Sequence, residues 1–468
     1  MEEKAMKKNR IFGLLVVLLA VILVMVACAP DSDDEETSGD NGTVAETETN
    51  DEETGGEETG DEETEGDNGT GAIDTGGGDG FVQGVTDTHI YFANSVAVSG
   101  GLAVVGVPFQ SGMEAYIEMV NERGGVHGRL LEYVHVDDGF EPGPGAAALD
   151  GFIHDDEVFA IVGHFGTPVI GATFPTLVET GIPTVYFAAG IGVVYNENAT
   201  DGDGRNTFPV QPVFPMEGRI FAAWAAGEFE AESIGLVHTN DDAGADFYNG
   251  VTQELATINE AREAEGLDPI ELITAQVDAN AEDVTAQVAT VLGTDVIIAG
   301  SIQGTIAQIV GGLAAQGNTA PVITSYVNAD ITISSAVAPD VEGNFDLYAS
   351  AWVDMISEMT REDVELYREW IAQVSDEDFS HNAFAMTGWI AMHFFVEGLE
   401  RAGEDLTWEG FILAMESEPI QNPFGSAIDF SNGNRVGTQE LSLVRLNSAE
   451  ESGWEPFLPF MGIEEILE

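Results

Sequence analysis

The sequence contains very little cysteine and very little positive charge. Its one cysteine, Cys28, excludes an intrachain disulfide, so the folded part must be stable on its hydrophobic core alone. Lysine and arginine together number 14 against 83 aspartates and glutamates, which gives a formal net charge of −69. A chain with so few cations has no basic surface to neutralise phosphates, which excludes binding to nucleic acid.

Motifs of catalysis and metal binding are missing as well. The sequence has no Gly-x-Ser-x-Gly, no His-Glu-x-x-His and no P-loop pattern. Its 8 histidines are scattered singly, which does not suggest a metal site. Acidic pairs abound, but in a chain this acidic they carry almost no information about catalysis. We therefore expect that the protein is not an enzyme and that it has neither a cofactor nor a metal centre.

The N-terminal residues have the order of an export signal. A basic start over residues 4–10 is followed by an apolar run over residues 11–27 and then by Cys28. Residues 25–28, Met-Val-Ala-Cys, resemble the bacterial lipoprotein signal, with Met25 where leucine is usual. The resemblance implies a signal peptide over residues 1–27 and lipidation of Cys28. The alternative is an uncleaved transmembrane anchor, and both interpretations hold the protein at the outer face of a membrane.

Residues 28–80 are expected to form a disordered acidic linker that starts at the lipidated cysteine. After Cys28 this stretch holds no lysine or arginine and almost no large apolar residue. It cannot bury enough surface to offset the entropy of ordering, and its charges repel one another. The charge of the whole chain would oppose a compact fold at low ionic strength, and molar salt would screen it. We therefore predict a salt-rich, halophilic habitat.

Downstream of residue 80, short β-rich runs alternate with helical patterns. This alternation predicts an α/β fold with parallel sheets covered by helices on both sides. Roughly 390 residues exceed one compact core, so two lobes are expected. The predicted strands are residues 89–94, 130–136, 158–162, 184–187, 233–238, 271–275, 295–299, 321–324 and 344–350. The predicted helices are residues 109–123, 144–155, 168–180, 215–229, 245–265, 281–292, 304–316, 361–373 and 381–401.

The most specific pattern is the helix-to-strand connection at residues 121–129, Asn-Glu-Arg-Gly-Gly-Val-His-Gly-Arg. Its glycine pair fits a helix stop and a tight turn. The pattern follows Ser99-Gly100 and precedes Asp137-Asp138. In this order it resembles the type I solute-binding proteins of ABC transporters, the Leu/Ile/Val-binding group. Further motifs of that family match at residues 162–167, 180–183 and 428–435.

The resemblance implies two Rossmann-like lobes with parallel sheets, joined by a hinge of three crossings and closing over a small ligand. The crossings are expected near Pro209, Ala349 and Gly437. Lobe 1 is then formed by residues 81–209 and 350–437, and lobe 2 by residues 210–349 and 438–468. Carried over position by position, the family's ligand contacts fall at Ser99, Gly100, Phe165, Gly166, Thr167, Ala188, Ala189, Gly190, Ala243, Ser301, Ile302 and Tyr326.

The turn at Gly166 and Thr167 supports part of this site from the residues themselves. A predicted strand runs into it, so that Thr167 is predicted as the N-cap of a helix and Pro168 as its first residue. Free backbone N–H groups and the positive end of the helix dipole make such a turn an anion site. In the family, a hydroxyl at the position of Thr167 holds the ligand's α-carboxylate; capping alone is the alternative role.

Four positions depart from the family's pattern. Gly190 replaces a ligand-binding threonine, Ala243 replaces a stacking tyrosine, and Val105 replaces an aromatic lid. Tyr326 stands where an acidic residue pairs with the ligand's ammonium group. The resemblance, with these departures, implies an apolar wall around a carboxylate, made of Phe165, Ile302, Tyr326 and Phe384.

We therefore expect an extracytoplasmic solute-binding lipoprotein of an ABC importer. It would bind a branched-chain amino acid or a related small carboxylate by hinge closure. The expected partners are that ligand, an ABC permease in the membrane and a lipid anchor, and the protein is expected to be a monomer. Three alternatives stay open: a ligand-sensing module for a membrane receptor, a binder of aromatic or aliphatic acids rather than amino acids, and an exported enzyme on a related scaffold.

Overall fold

The computed structural model describes residues 82–354 and 360–468. The predictions for the signal peptide, for Cys28 and for the acidic linker lie outside these residues. Within the described ranges, no helix is both long enough and apolar enough to cross a membrane.

The first half of the fold is a five-stranded parallel sheet with the strand order β2-β1-β3-β4-β5. Its strands are β1 (His89–Ser95), β2 (Leu130–Val136), β3 (Ala160–Phe165), β4 (Thr184–Ala188) and β5 (Thr207–Phe208). The connecting helices are α1 (Ala103–Glu122), α2 (Pro142–His154) and α3 (Thr167–Thr180). Parallel neighbours require such crossover connections, which explains the regular alternation of the sequence.

The second half is a seven-stranded sheet with the order β12-β11-β10-β9-β8-β6-β7. Its parallel part consists of β6 (Ser233–Thr239), β7 (Glu271–Val277), β8 (Val296–Gly300), β9 (Val322–Thr324) and β10 (Leu347–Ala351). An antiparallel hairpin of β11 (Glu440–Leu446) and β12 (Trp454–Gly462) extends the sheet beyond β10. The helices that belong to this chain segment are α4 (Phe214–Gly227), α5 (Asp242–Glu265), α6 (Thr285–Val291), α7 (Gln303–Ala315) and α8 (Ile331–Val341).

Four further α-helices lie in the C-terminal part of the described chain. They are α9 (Arg361–Val374), α10 (Ala383–Ala402), α11 (Trp408–Met415) and α12 (Ile463–Leu467). Helix α10 packs against α1 and against β3 and β4, which places it on the five-stranded sheet. Strands β3 and β8 are buried along their whole length, because helices cover both faces of each sheet. The predicted α/β fold class is confirmed.

The chain passes between the two sheets three times. It leaves the five-stranded sheet after β5, leaves the seven-stranded sheet after β10, and enters the latter again at β11. The Thr438 N–H donates to the Val210 carbonyl at 2.8 Å, which joins the first and third passages. Ala349 lies inside β10, two residues before that strand ends. The lobe boundaries given above stay a prediction.

The motif at residues 121–129 shapes the turn between α1 and β2. The Asn121 side chain accepts a hydrogen bond from the Leu131 N–H at 2.8 Å and donates to the Leu131 carbonyl at 3.0 Å. Gly125 has φ 73°, and a Cβ there would lie 1.9 Å from the Arg129 carbonyl oxygen. The motif therefore has a structural role, and its residues lie outside the cavity described below.

Candidate functional site

A cavity of about 360 Å³ lies between the two sheets. Ligand pockets in proteins usually have volumes of about 300–1,000 Å³. Side chains from both halves of the fold line the cavity, and most of them are apolar. Its aromatic side chains are Phe109, Phe140, Phe165, Phe214, Tyr326, Trp352, Phe384, Trp454 and Phe460. The cavity can therefore enclose the apolar body of one small ligand.

The polar side chains of the cavity are few, and several already have partners within the protein. Gln211 accepts a hydrogen bond from the Tyr186 hydroxyl at 2.8 Å, and Gln303 donates to the Val327 carbonyl at 2.9 Å. Asp354 is the one charged side chain among the described lining residues, and it too is engaged in an interaction. No arginine or lysine of these residues faces the cavity, so a ligand's negative charge must be met by dipoles.

The N-terminus of α3 forms one such dipole at the cavity floor. Gly166 and Thr167 both line the cavity. Gly166, with φ 91°, is the N-cap, and Thr167 is the first helical residue. The prediction of Thr167 as the N-cap was wrong by one position, because Gly166 supplies the left-handed backbone that turns β3 into the helix.

This turn leaves hydrogen-bonding capacity for a ligand. The Thr167 residue is 5% exposed, and its hydroxyl has no hydrogen-bond partner among the described residues. Pro168 has no backbone N–H, so the free donors of the first turn are the N–H groups of Thr167 and Val169, which have no partner within the helix. A Cβ at Gly166 would lie 2.8 Å from a ring carbon of Phe140, so only glycine fits between this ring and the floor. The floor thus combines a hydroxyl, backbone donors and a helix dipole, which together suit a carboxylate.

Seven of the twelve predicted contact residues line this one cavity. They are Phe165, Gly166, Thr167, Ala188, Ala189, Ile302 and Tyr326. Val105 and Phe384, which the sequence placed at the lid and in the apolar wall, line it too. The predicted contacts come from both sheets, so the structure brings together residues that are more than 150 positions apart in the sequence.

The other five predicted residues do not line the cavity. Ser99 and Gly100 lie exposed before α1. Gly190 is covered by Phe214, whose ring carbon would lie 2.6 Å from a Cβ at that position. Ala243 and Ser301 are fully buried. Whether any of the twelve touches a ligand stays a prediction.

Tyr326 is held in place on the seven-stranded side of the cavity. Its hydroxyl donates to the Pro212 carbonyl at 3.0 Å. Its ring stands edge-on to Trp352, with 6.3 Å between the ring centroids. Its backbone N–H donates to the carboxylate of Glu217 at 3.1 Å. The phenol is therefore bonded to the protein, and its ring forms part of the cavity wall.

Glu217 is a supporting residue that the sequence did not reveal. It is fully buried in α4 and accepts hydrogen bonds from the Ser325 hydroxyl at 2.7 Å and from the Ser350 hydroxyl. Burial raises the pKa of Glu217 to about 7, although the bonds from Ser350, Ser325 and Tyr326 oppose the rise. In a chain with 83 acidic residues, nothing in the sequence distinguishes this one.

The C-terminal hairpin β11–β12 is the second part of the site that the sequence analysis missed. Val444, Trp454, Pro456, Leu458 and Phe460 all line the cavity. The apolar residues of segments 440–446 and 454–462 are the sequence signal that could have indicated this hairpin, but no strand was predicted there.

His164 lies two residues before Gly166, but its side chain packs in the interior of the protein and not at the cavity. It is fully buried in β3, and its Nε2 lies 2.8 Å from the Thr173 hydroxyl. Burial lowers the pKa of His164 to about 4, so the ring is neutral at pH 7. The ring does not line the cavity, and no cluster of three potential metal-ligating side chains occurs among the residues that the structure describes.

The fold and the site define a class of binding protein, and sequence comparison identifies the family. The family profile described as "Periplasmic binding protein" matches residues 89–451. The chain belongs to this family, whose members bind small molecules outside the cytoplasm and serve ABC transporters. The resemblance inferred from the sequence motifs is confirmed.

Among curated relatives, Leu/Ile/Val-binding protein homolog 1 of Brucella melitensis biotype 1 is 23% identical over 332 residues, which cover 70% of this chain and 83% of the relative. A fatty acid ABC transporter substrate-binding protein from Thermomonospora curvata superposes with a TM-score of 0.66 at 20% identity, covering 82% of this chain and 95% of that one. A solute-binding protein from R. palustris in complex with benzoate gives a TM-score of 0.64 at 18% identity, covering 80% and 98%. The relatives are named as binding proteins, not enzymes, and the structural likeness shows the shared fold.

Proposed function

We propose that this protein is the solute-binding lipoprotein of an ABC importer, anchored outside the cell membrane through Cys28. It would work as a monomer, deliver its ligand to a permease, and bind by closure of two lobes about the three crossings. A ligand that contacts both lobes binds the closed state more tightly than the open state, and it therefore shifts the equilibrium toward closure. The observation that carries this proposal is the cavity whose walls come from both sheets.

We further propose that the ligand is an aliphatic or aromatic monocarboxylate. The carboxylate would lie at the Gly166–Thr167 floor, and the apolar body would fill the aromatic part of the cavity. Tyr326 supports this class, because it places a ring where the family carries the acid that pairs with an ammonium group. The fatty-acid and benzoate proteins with the same fold are consistent with such ligands.

A branched-chain amino acid is the second candidate, and the naming of the curated relatives favours it. The two candidates differ in one chemical group, the ammonium. An amino acid would leave this charge buried and without a dedicated partner among the apolar lining, which is costly.

Matched ligand pairs separate the two candidates. Calorimetry on the full-length protein would compare 4-methylpentanoate with leucine, and 3-phenylpropanoate with phenylalanine, since the members of each pair differ by the amino group. We expect the acid of at least one pair to bind at least about tenfold more tightly. Tighter binding of both amino acids would overturn the proposed ligand class and favour the second candidate, and binding of neither pair would reject both classes.

A further inference from the structure

The buried carboxylate of Asp330 contacts both halves of the fold. Asp330 is 1% exposed and is the N-cap of α8, which connects β9 to β10 of the seven-stranded sheet. One carboxylate oxygen accepts a hydrogen bond from the Thr332 N–H at 2.7 Å, within its own helix, and a long one from the Asn382 side-chain amide at 3.5 Å. The other accepts from the Ala383 N–H at 2.8 Å, at the start of α10 on the five-stranded sheet. One side chain thus caps two helices that lie on opposite sides of the cavity.

The contact with α10 is not needed to begin that helix. Asn382 is the N-cap of α10, and its side-chain oxygen accepts from the Ala385 N–H at 2.9 Å. Asp241, the N-cap aspartate of α5, shows the ordinary arrangement: it accepts from the Gly244 N–H at 2.9 Å and from the Thr239 hydroxyl, both close in sequence. Asp330 differs because its second carboxylate oxygen accepts a hydrogen bond from a backbone N–H of the other half, that of Ala383.

The position of this contact ties it to the cavity. Ala329 on one side of it and Ala383 and Phe384 on the other all line the cavity. Opening the two halves would separate Asp330 from Ala383. It would leave a buried carboxylate oxygen and a helix N–H to find new partners.

We propose that Asp330 is a latch between the lobes: its hydrogen bond to the Ala383 N–H holds the cavity closed. The inference rests on the proposed hinge closure, but not on the ligand class. A hydrogen bond to a charged group shifts an equilibrium by about tenfold or more. A second contact of this kind, from the Gly192 N–H to Asp246 at 2.7 Å, lies elsewhere between the halves and is more exposed. The ion pair between the half-buried His381 and the exposed Glu451, at 3.3 Å, contributes little.

Two substitutions remove the latch from opposite sides. Asp330→Ser keeps an efficient N-cap for α8 but is too short to reach Ala383. Ala383→Pro removes the donor, and proline is well accepted at the first position of a helix. Asn382 before it has φ −91° and ψ 117°, an extended backbone that precedes proline without strain. Asp241→Ser is the matched control, because it changes an N-cap aspartate of the same half that makes no contact across the cavity.

Hydrogen–deuterium exchange of the full-length protein without added ligand tests the latch. In Asp330→Ser, we expect the amides at residues 381–388 to exchange about tenfold faster than in the wild type. In Ala383→Pro, the same rise is expected at residues 326–334. The double variant should exchange no faster than Asp330→Ser alone, because that change already removes the bond to Ala383. Asp241→Ser should leave both segments unchanged.

The outcomes separate this inference from the proposed function. Wild-type exchange in both single variants, or additive effects in the double variant, would overturn the latch. Calorimetry with the four matched ligands on the same preparations then reports on the ligand class independently. If exchange shows the latch but calorimetry detects no binding of either carboxylic acid, the latch proposal stands and the proposed ligand class is rejected.

Discussion

At the scale of single residues, Thr167 is the side chain on which the carboxylate site depends most. Thr167 lines the cavity, and its hydroxyl has no hydrogen-bond partner among the described residues. Thr167→Val keeps the shape and removes the hydroxyl, so a ligand oxygen would lose a buried donor. We expect binding of 4-methylpentanoate to weaken by about 1–3 kcal/mol, measured by calorimetry. Thr252→Val in α5, whose hydroxyl bonds the Tyr248 carbonyl, is the control, and equal affinities in the two variants would contradict the assignment.

The buried Glu217, which supports the cavity wall, should make the stability of the protein depend on pH. Its folded-state pKa of about 7 lies above the ordinary value of 4.5. The stability that the neutral acid contributes below pH 4.5 is therefore lost as the pH rises through about 7. Glu217→Gln does not titrate. Relative to this variant, the wild type should lose about 3 kcal/mol of unfolding free energy between pH 4.5 and pH 8.

Urea unfolding of both proteins at pH 4.5 and pH 8 measures this difference. Glu228→Gln, which changes an exposed glutamate at the end of the same helix, should behave like the wild type at both pH values. A constant difference between wild type and Glu217→Gln would show that Glu217 ionises at its ordinary pKa.

Sequence reasoning placed the floor residues and four members of the apolar wall in one cavity. The family motif fixes the β3–α3 turn, and the residues after β8 and β9 follow from the same strand order. The sequence did not identify Glu217, because its burial depends on how α4 packs against β10, and nothing in the sequence distinguishes it from the other acidic residues. Ser99 and Gly100 were carried over from the family pattern, and the structure leaves them exposed outside the cavity lining.

At the scale of elements, the hairpin β11–β12 determines which apolar bodies fit. Leu458 lines the cavity, whereas its neighbour Phe457 is 43% exposed and packs on Phe229 and Tyr348. Leu458→Ser should remove apolar contact with the far end of a ligand. Across the acids from pentanoate to octanoate, the wild type should gain up to about 0.8 kcal/mol per methylene, and the variant should gain less.

Calorimetry over this series gives the two slopes. Phe457→Ser changes the adjacent residue outside the cavity and should keep the wild-type slope. If both variants reduce the slope equally, the hairpin does not contact the ligand and acts only on stability.

Six strands and α-helices of the described chain were not predicted from the sequence, namely β5, β11, β12, α8, α11 and α12. β12 contains Pro456 and Pro459, which argue against a strand in a sheet interior but are tolerated at its edge. β5 has only two residues and pairs with β4 alone. The nine strands and nine helices that the sequence predicted are all present in kind, because each has a helical periodicity or a continuous apolar run.

At the scale of the whole molecule, the net charge of −69 dominates. Its repulsion should be relieved by salt, because the screening length falls to about 3 Å at 1 M. We expect the melting temperature of the full-length protein to rise between dilute buffer and molar NaCl. Each kcal/mol gained corresponds to about 2–4 °C for domains of 150–250 residues. A melting temperature that is independent of salt would remove the halophilic interpretation.

Attachment to the membrane is proposed to depend on Cys28 alone. Cys28→Ser should abolish lipidation and move the protein from the membrane fraction to the medium or the soluble fraction, measured by immunoblotting. Ser95→Ala, a change in the folded part, should leave the protein in the membrane fraction. Membrane attachment that survives Cys28→Ser would favour the uncleaved transmembrane anchor.

A crystal structure of the full-length protein with bound 4-methylpentanoate tests the central claim most directly. The account predicts that its carboxylate lies within hydrogen-bond distance of the Thr167 hydroxyl and the first backbone N–H groups of α3, with the methyl groups against the aromatic wall. A carboxylate that lies elsewhere in the cavity, or a ligand outside it, would contradict the account.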